Sequence, residues 1–160
     1  MDRESFIEIL DENSFLRFDN KVDKWDVLEL MAERACKLDA VIEPDVFREA
    51  VFGREKIMST GIGRGIAIPH GITDAVSEIF ILTGIIPSGV DYNAVDSLPV
   101  RLVFMVGSPV IDGRFYLKVL AGISKIFREA GALDEFLSLE TEDRMREFLR
   151  EKWLDGYKAS

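Results

Sequence analysis

Histidine and cysteine are nearly absent from this chain of 160 residues, which holds one of each, His70 and Cys36. A single cysteine excludes an internal disulfide. One histidine and one cysteine are too few ligands for a zinc site of the His/Cys kind. No Asp/Glu spacing resembles an EF-hand loop. Neither a metal nor a cofactor is called for. Positive charge is also scarce, with 20 Lys and Arg against 29 Asp and Glu, a formal net charge of −9. Nucleic-acid binding relies on neutralising phosphates, so nucleic acid is excluded as a partner. An acidic surface suits a basic protein partner, because complementary charge speeds encounter. Long apolar runs are missing too. The longest, VRLVFMVGSPVI, contains Arg101 and is too short to cross a bilayer. The first residues, MDRESFIEIL, are acidic and broken by charge, unlike a signal peptide. The expectation is a cytoplasmic protein with no direct membrane insertion. Repeats, low-complexity tracts and Pro/Gly/Ser-rich linkers are lacking, which favours one domain over residues 1–160.

What is present is 48% hydrophobic residues, including eleven phenylalanines, enough for a sizeable core. Residues 6–10 read as a helical turn and 14–18 as a short strand. From Asp23, a capping residue, the pattern is helical, with Trp25, Leu28, Ala32 and Ala35 on one face. Pro44 opens a second helix carrying Phe47, Ala50, Val51 and Arg54 on one stripe. Residues 65–69, 79–85 and 100–106 read as strands, apolar enough to be covered on both faces. Leu117, Leu120, Ala121, Ser124 and Phe127 mark a long helix ending near Gly131. A short helix follows over residues 133–137. Thr141 caps the last helix, whose Met145, Phe148 and Leu149 face the core, and residues 155–160 form a loose tail. The fold class is α/β, a sheet flanked by helices. Strand directions do not follow from the pattern.

The lone histidine lies in STGIGRGIAIPHGIT, residues 59–73. Strand parity points Ile66, Ile68 and His70 one way, Ala67 and Pro69 the other. His70 then falls at the strand's C-terminal end, where open α/β sheets place their sites. Pro69 fixes its own φ and holds Ile68 extended. Gly71 is read as letting the chain turn away and another molecule come close. Residue type alone favours a structural role for a lone histidine. Gly61, Gly63 and Gly65 fit neither G-x-G-x-x-G nor a P-loop, so they read as a tight helix-to-strand connection. Arg54 either complements a helix C-terminus or, on a buried stripe, needs an anionic partner such as phosphate or Asp/Glu. No G-x-S-x-G elbow is present, and Ser59, Ser77, Ser108 or Asp96 could join His70 only through tertiary contacts. A histidine with no obvious Ser or Cys nucleophile can itself attack phosphorus and hold a phosphoryl group as an N–P bond.

The run REKIMSTGIGRGIAIPHG, residues 54–71, resembles the signature of the enzyme IIA domains of the fructose–mannitol class, part of the bacterial phosphoenolpyruvate-dependent phosphotransferase system. That class includes stand-alone nitrogen-regulatory IIA proteins. The likeness continues through residues 89–109 and 116–129 and covers about residues 5–150. It implies a single-domain mixed β-sheet sandwiched between α-helices. It implies that His70 receives a phosphoryl group from a phosphorylated histidine phosphocarrier protein, or its nitrogen-branch counterpart, and passes it to a cysteine on a IIB domain. Arg54 matches the family's motif arginine near the phosphoryl site, and Thr60, Gly71 and Tyr116 are candidates to support the phosphate. Many members carry a second histidine where this chain has Tyr116, in YLKVL. A tyrosine can donate to phosphate but is no imidazole partner. Two further readings are a regulatory protein whose partners sense the phosphorylation state of His70, and a degenerate interaction domain.

Overall fold

The computed structural model describes residues 8–9 and 14–158. In chain order the elements are β1 (Ser14–Arg17), α1 (Lys24–Ala35), α2 (Pro44–Ile57), β2 (Gly61–Gly63), β3 (Ile66–Ala67), β4 (His70–Ile72), β5 (Phe80–Val90), β6 (Val100–Ser108), α3 (Gly113–Arg128), α4 (Ala132–Leu137) and α5 (Glu142–Lys158). Local chemistry sets several of these boundaries. The Asp23 carboxylate accepts from the Asp26 amide at 2.9 Å, and the Thr141 hydroxyl accepts from the Arg144 amide at 3.2 Å. Each satisfies an amide that a helix start leaves without an internal partner. Pro44 stands in the first turn of α2, where its missing N–H costs nothing.

The six strands form one mixed sheet in the order β1-β5-β6-β3-β2, with β4 also paired to β6. β5 and β6 are antiparallel at the centre, β1 runs parallel to β5, β3 and β4 run parallel to β6, and β2 is antiparallel to β3. Alternation along the central strands divides the core. Ile81, Ile85, Leu102, Phe104 and Val106 face α3, α4 and α5. Phe80, Leu82, Ile86, Val103 and Met105 face α1 and α2. The sheet is therefore sandwiched between helices, as expected. Burying a Leu, Ile or Phe side chain stabilises by about 1.5–3 kcal/mol, so both helical layers are held mainly by this two-sided apolar burial.

Four readings of the pattern are corrected. Trp25 is 42% exposed and stacks on Phe52 outside the core, while Val27 and Met31 join Leu28, Ala32 and Ala35 inside. On α3 the buried stripe is Phe115, Tyr116, Val119, Ile123, Ile126 and Phe127, and Leu117 is 61% exposed. α5 continues to Lys158, so most of the supposed loose tail is helical. The expected helical turn at residues 6–10 includes helical Glu8 and Ile9, and its other positions lie outside the described residues.

The fourth correction shapes the site. Residues 65–69 do not form one strand. β3 pairs with Leu102 and Val103 of β6, the chain steps out at Ile68–Pro69, and β4 resumes with His70 opposite Val106. Proline has no N–H to give the ladder, so pairing breaks there. The Pro69 carbonyl still accepts from the Val106 amide at 3.0 Å, and the Ile68 amide donates instead to the Thr60 carbonyl at 3.0 Å. His70 thus opens the second half of an interrupted strand rather than ending one. The glycines likewise do not join a helix to a strand. β2 and β3 form a hairpin whose two-residue turn has positive φ at both positions, 58° at Arg64 and 83° at Gly65. That is the type I′ geometry favoured by strand twist.

Candidate functional site

The sheet-and-helix frame brings three of the predicted residues to one place. Parity along the interrupted strand holds: Ile66 and Ile68 lie in the core under α3, Ala67 lies on the opposite face, and His70 meets Tyr116 of α3. The two rings are 5.1 Å apart between centroids and tilted by 51°. Tyr116 is buried in the first turn of α3, a helix that starts with no side-chain cap and no acidic residue in its first turn. The N-cap residue of this helix is Asp112, whose carboxylate caps no amide and offsets part of the positive end of the helix dipole.

His70 is half-buried, and its Nδ1 lies 2.9 Å from the Ile68 carbonyl oxygen. A carbonyl can only accept, so Nδ1 carries the proton and donates. The lone pair of the neutral ring is then on Nε2. Burial holds the imidazole below its ordinary pKa, and the Arg54 charge acts in the same direction. The Ile68 carbonyl and the Glu55 charge oppose them. The ring is therefore kept neutral, and nucleophilic, around neutral pH.

Arg54 is half-buried in the last turn of α2, and its Nη1 donates to the Met58 carbonyl at 2.8 Å. One of its five N–H donors thereby satisfies the end of its own helix. Its charge reaches both His70 and Tyr116, pulling the pKa of each downward. For Tyr116 burial outweighs this and pushes the phenol well above its ordinary value, so it stays a hydrogen-bond donor.

Thr60 and Gly71 occupy different settings. Thr60 is buried, its amide donates to Glu55 Oε1 at 2.9 Å, and its hydroxyl donates to Glu55 Oε2 at 2.6 Å. Gly71 does not turn the chain. It sits in β4 opposite Gly107, and a Cβ there would meet Val51 Cγ2 at 3.0 Å and Phe47 Cε1 at 3.1 Å. Its bare backbone admits α2, not an incoming molecule. The serines and the aspartate weighed for a hydrolase are held elsewhere: Ser59 by the Tyr92 carbonyl, Ser77 by that of Ala40, Ser108 by that of Pro109, and Asp96 by the Arg64 and Leu98 amides.

Sequence reasoning missed Glu55. Its side chain is fully buried and paired with Lys24 Nζ at 2.9 Å. Tyr92, also buried, places its hydroxyl 3.2 Å from Thr60 Oγ1, and Lys24 Nζ lies 4.4 Å above the Tyr92 ring. The signal was available. Phe47, Val51 and Glu55 recur every four residues along α2, so the apolar stripe itself leads to Glu55.

Residues 8–152 match the model of the phosphoenolpyruvate-dependent sugar phosphotransferase system, EIIA 2. The chain belongs to that family, whose domains act as phosphoryl-transfer components. It is 30% identical over 128 residues to a fructose-specific EIIA component from Haloferax volcanii, a match covering 80% of this chain and 83% of the relative. It is 36% identical over 106 residues to a nitrogen regulatory protein from Bradyrhizobium diazoefficiens, covering 66% of this chain and 69% of the relative. Among solved structures, the nitrogen regulatory protein IIA-Ntr from Neisseria meningitidis superposes with a TM-score of 0.78 at 25% identity, covering 91% of this chain and 99% of that one. Among the described residues no helix is long and apolar enough to cross a membrane.

Proposed function

We propose that Nε2 of His70 accepts a phosphoryl group from a phosphorylated histidine phosphocarrier protein and passes it to a cysteine of a IIB domain, as a cytoplasmic step of sugar uptake. The observation that carries this is the 2.9 Å hydrogen bond from His70 Nδ1 to the Ile68 carbonyl. It leaves Nε2 bare, so no proton has to be removed before attack. The Nε2 lone pair forms the new N–P bond as the donor's N–P bond breaks, and the donor imidazole keeps that electron pair. The phosphorylated ring then carries positive charge with Nδ1–H still directed at the carbonyl, and this hydrogen bond becomes charge-assisted. Passage to a cysteine thiolate reverses the change. The new S–P bond forms, the N–P pair returns to Nε2, and the neutral tautomer is restored.

Arg54 supplies fixed positive potential where charge on the transferring group gathers. Tyr116 offers its phenol as a donor from beside the ring. Exposed Met58, Ile72, Val110, Ile111 and Leu117 are neighbours in sequence of the site residues or of strands paired at the site, and they give a partner apolar contact area.

A second reading is favoured by the relatives named as nitrogen regulatory proteins. Phosphorylation would change the local charge by about two units and alter which regulatory protein binds. The test of both starts by mixing the chain with phosphoenolpyruvate, enzyme I and the histidine phosphocarrier protein. The expected result is an acid-labile mass gain that His70→Ala abolishes. A gain that persists in His70→Ala overturns the assignment. Loss of the label on adding a IIB protein supports relay, whereas capture of a partner whose affinity follows phosphorylation supports regulation.

A further inference from the structure

We propose that Glu55 is a positioning residue for phosphoryl transfer, acting on His70 through Thr60 and the Ile68 peptide. The inference rests on the reading of His70 as the acceptor, and it concerns what holds that ring in its reactive form.

The chain of contacts is continuous. Lys24 Nζ lies 2.9 Å from Glu55 Oε1. Glu55 takes both donors of Thr60, the amide on Oε1 at 2.9 Å and the hydroxyl on Oε2 at 2.6 Å. The Thr60 carbonyl accepts the Ile68 amide at 3.0 Å, and the carbonyl of Ile68 accepts Nδ1–H of His70 at 2.9 Å. The Thr60 hydroxyl proton is committed to Glu55, so the Tyr92 hydroxyl, 3.2 Å away, is the donor to Thr60 Oγ1. Every link has an assigned direction.

This bracket stands where the ladder is weakest. Pro69 contributes no amide, and between β3 and β4 the strand leaves its pairing with β6. The Ile68 amide therefore depends on residue 60 for its hydrogen bond, and residue 60 is held by Glu55. The Ile68 amide lies in the Ala67–Ile68 peptide plane and its carbonyl in the Ile68–Pro69 plane. The two planes meet at the Ile68 Cα, and Pro69 confines Ile68 to extended backbone, so anchoring the first plane limits how far the second can tilt. Losing the Thr60 anchor would let the Ile68 carbonyl swing from Nδ1, freeing the ring to rotate or to exchange tautomers. A buried ion pair adds little net stability against an apolar replacement, so its presence beside a nucleophile suits a role in specifying geometry.

The test uses the full chain with 15N-labelled histidine. Long-range 1H–15N correlation reads the His70 tautomer, and the acid-labile phosphorylation rate is measured on the same samples. Wild type is expected to show one Nδ1-protonated tautomer. Glu55→Gln, with a folded spectrum, is expected to show mixed tautomers and a rate about tenfold lower. If that variant does not fold, Thr60→Val decides on the same two readings, since it leaves the Lys24–Glu55 pair intact. A slower rate with the tautomer unchanged, or a changed tautomer at the wild-type rate, overturns the proposal. Failure of the underlying reading looks different: phosphorylation would survive His70→Ala, while the tautomer still reported on the bracket.

Discussion

Arg54 and Glu55 are adjacent in sequence and opposite in situation. One helical step of about 100° separates them. Arg54 is half-buried, its charge felt by the His70 ring, with one donor tied to the Met58 carbonyl. Glu55 is turned fully inside, closed on by Lys24 and Thr60. Near the first lie the groups of the proposed phosphoryl site, the bare Nε2 of His70 to attack phosphorus and the Tyr116 phenol to donate to an oxygen. Around the second gather groups that meet only each other. The contrast separates two uses of charge. At the open pole a half-buried cation has one donor engaged and, in the reading proposed above, the rest available to a phosphoryl group. In the buried bracket every charge is spent on fixing backbone.

The comparison breaks first, and most visibly, in stability. Lys24→Met leaves the Glu55 carboxylate buried without its cation, which should cost about 3 kcal/mol of folding free energy. Urea unfolding monitored by tryptophan fluorescence would read this as a lower midpoint at unchanged slope. Arg54→Ala, by contrast, should leave the midpoint nearly where it was. Equal losses for the two substitutions would erase the distinction between pole and bracket.

The pole is tested by rate. Arg54→Ala should slow acceptance from the phosphocarrier about a hundredfold, the scale of removing one charge stabiliser. It should also shift the pH profile, with a sign fixed by linkage. Protonating His70 removes the nucleophile, so the rate falls as pH drops through the His70 pKa. In wild type that pKa lies below the ordinary histidine value, chiefly through burial and in part through Arg54. Removing the arginine raises it, so the acid limb moves to higher pH. An unmoved limb would take Arg54 out of the field felt by the ring.

How much of this could be read beforehand follows from the same physics. The pole was legible because it is local: Pro69, His70 and the strand parity lie within a few residues, and the resemblance of residues 54–71 falls on the same stretch. The sandwich was legible because β5 and β6 are apolar on both faces, which only two covering layers satisfy. The phase of α3 was not. Its apolar residues surround more than half the circumference, and only contact with the sheet selects Phe115 and Val119 over Leu117 and Ala121. The bracket was hidden for a different reason. Lys24, Glu55, Thr60 and Tyr92 come from four separated positions; the α2 stripe points to Glu55, but nothing local in the sequence joins it to the other three. The split strand lay between: Pro69 announced a broken ladder, but not that β4 would resume on the same neighbour.

The smallest effect sharpens the comparison at its boundary. Tyr116 stands at the edge of the pole, with a ring buried in the core under α3 and a phenol within reach of the Arg54 charge. If it acts at the pole, its hydroxyl donates to the phosphoryl group and steadies it. Burial pushes its pKa upward, so that donor persists across the whole working pH range. Tyr116→Phe keeps the ring against His70 and removes only the donor. A net hydrogen bond is worth about 1 kcal/mol, so the phosphorylated protein should lose its label roughly fivefold faster on addition of water alone. The acceptance rate and the unfolding midpoint should barely change. An unaltered lifetime would assign Tyr116 to the bracket's kind of work, a surface that keeps the imidazole in place. Residue 116 would then serve packing in this chain rather than chemistry.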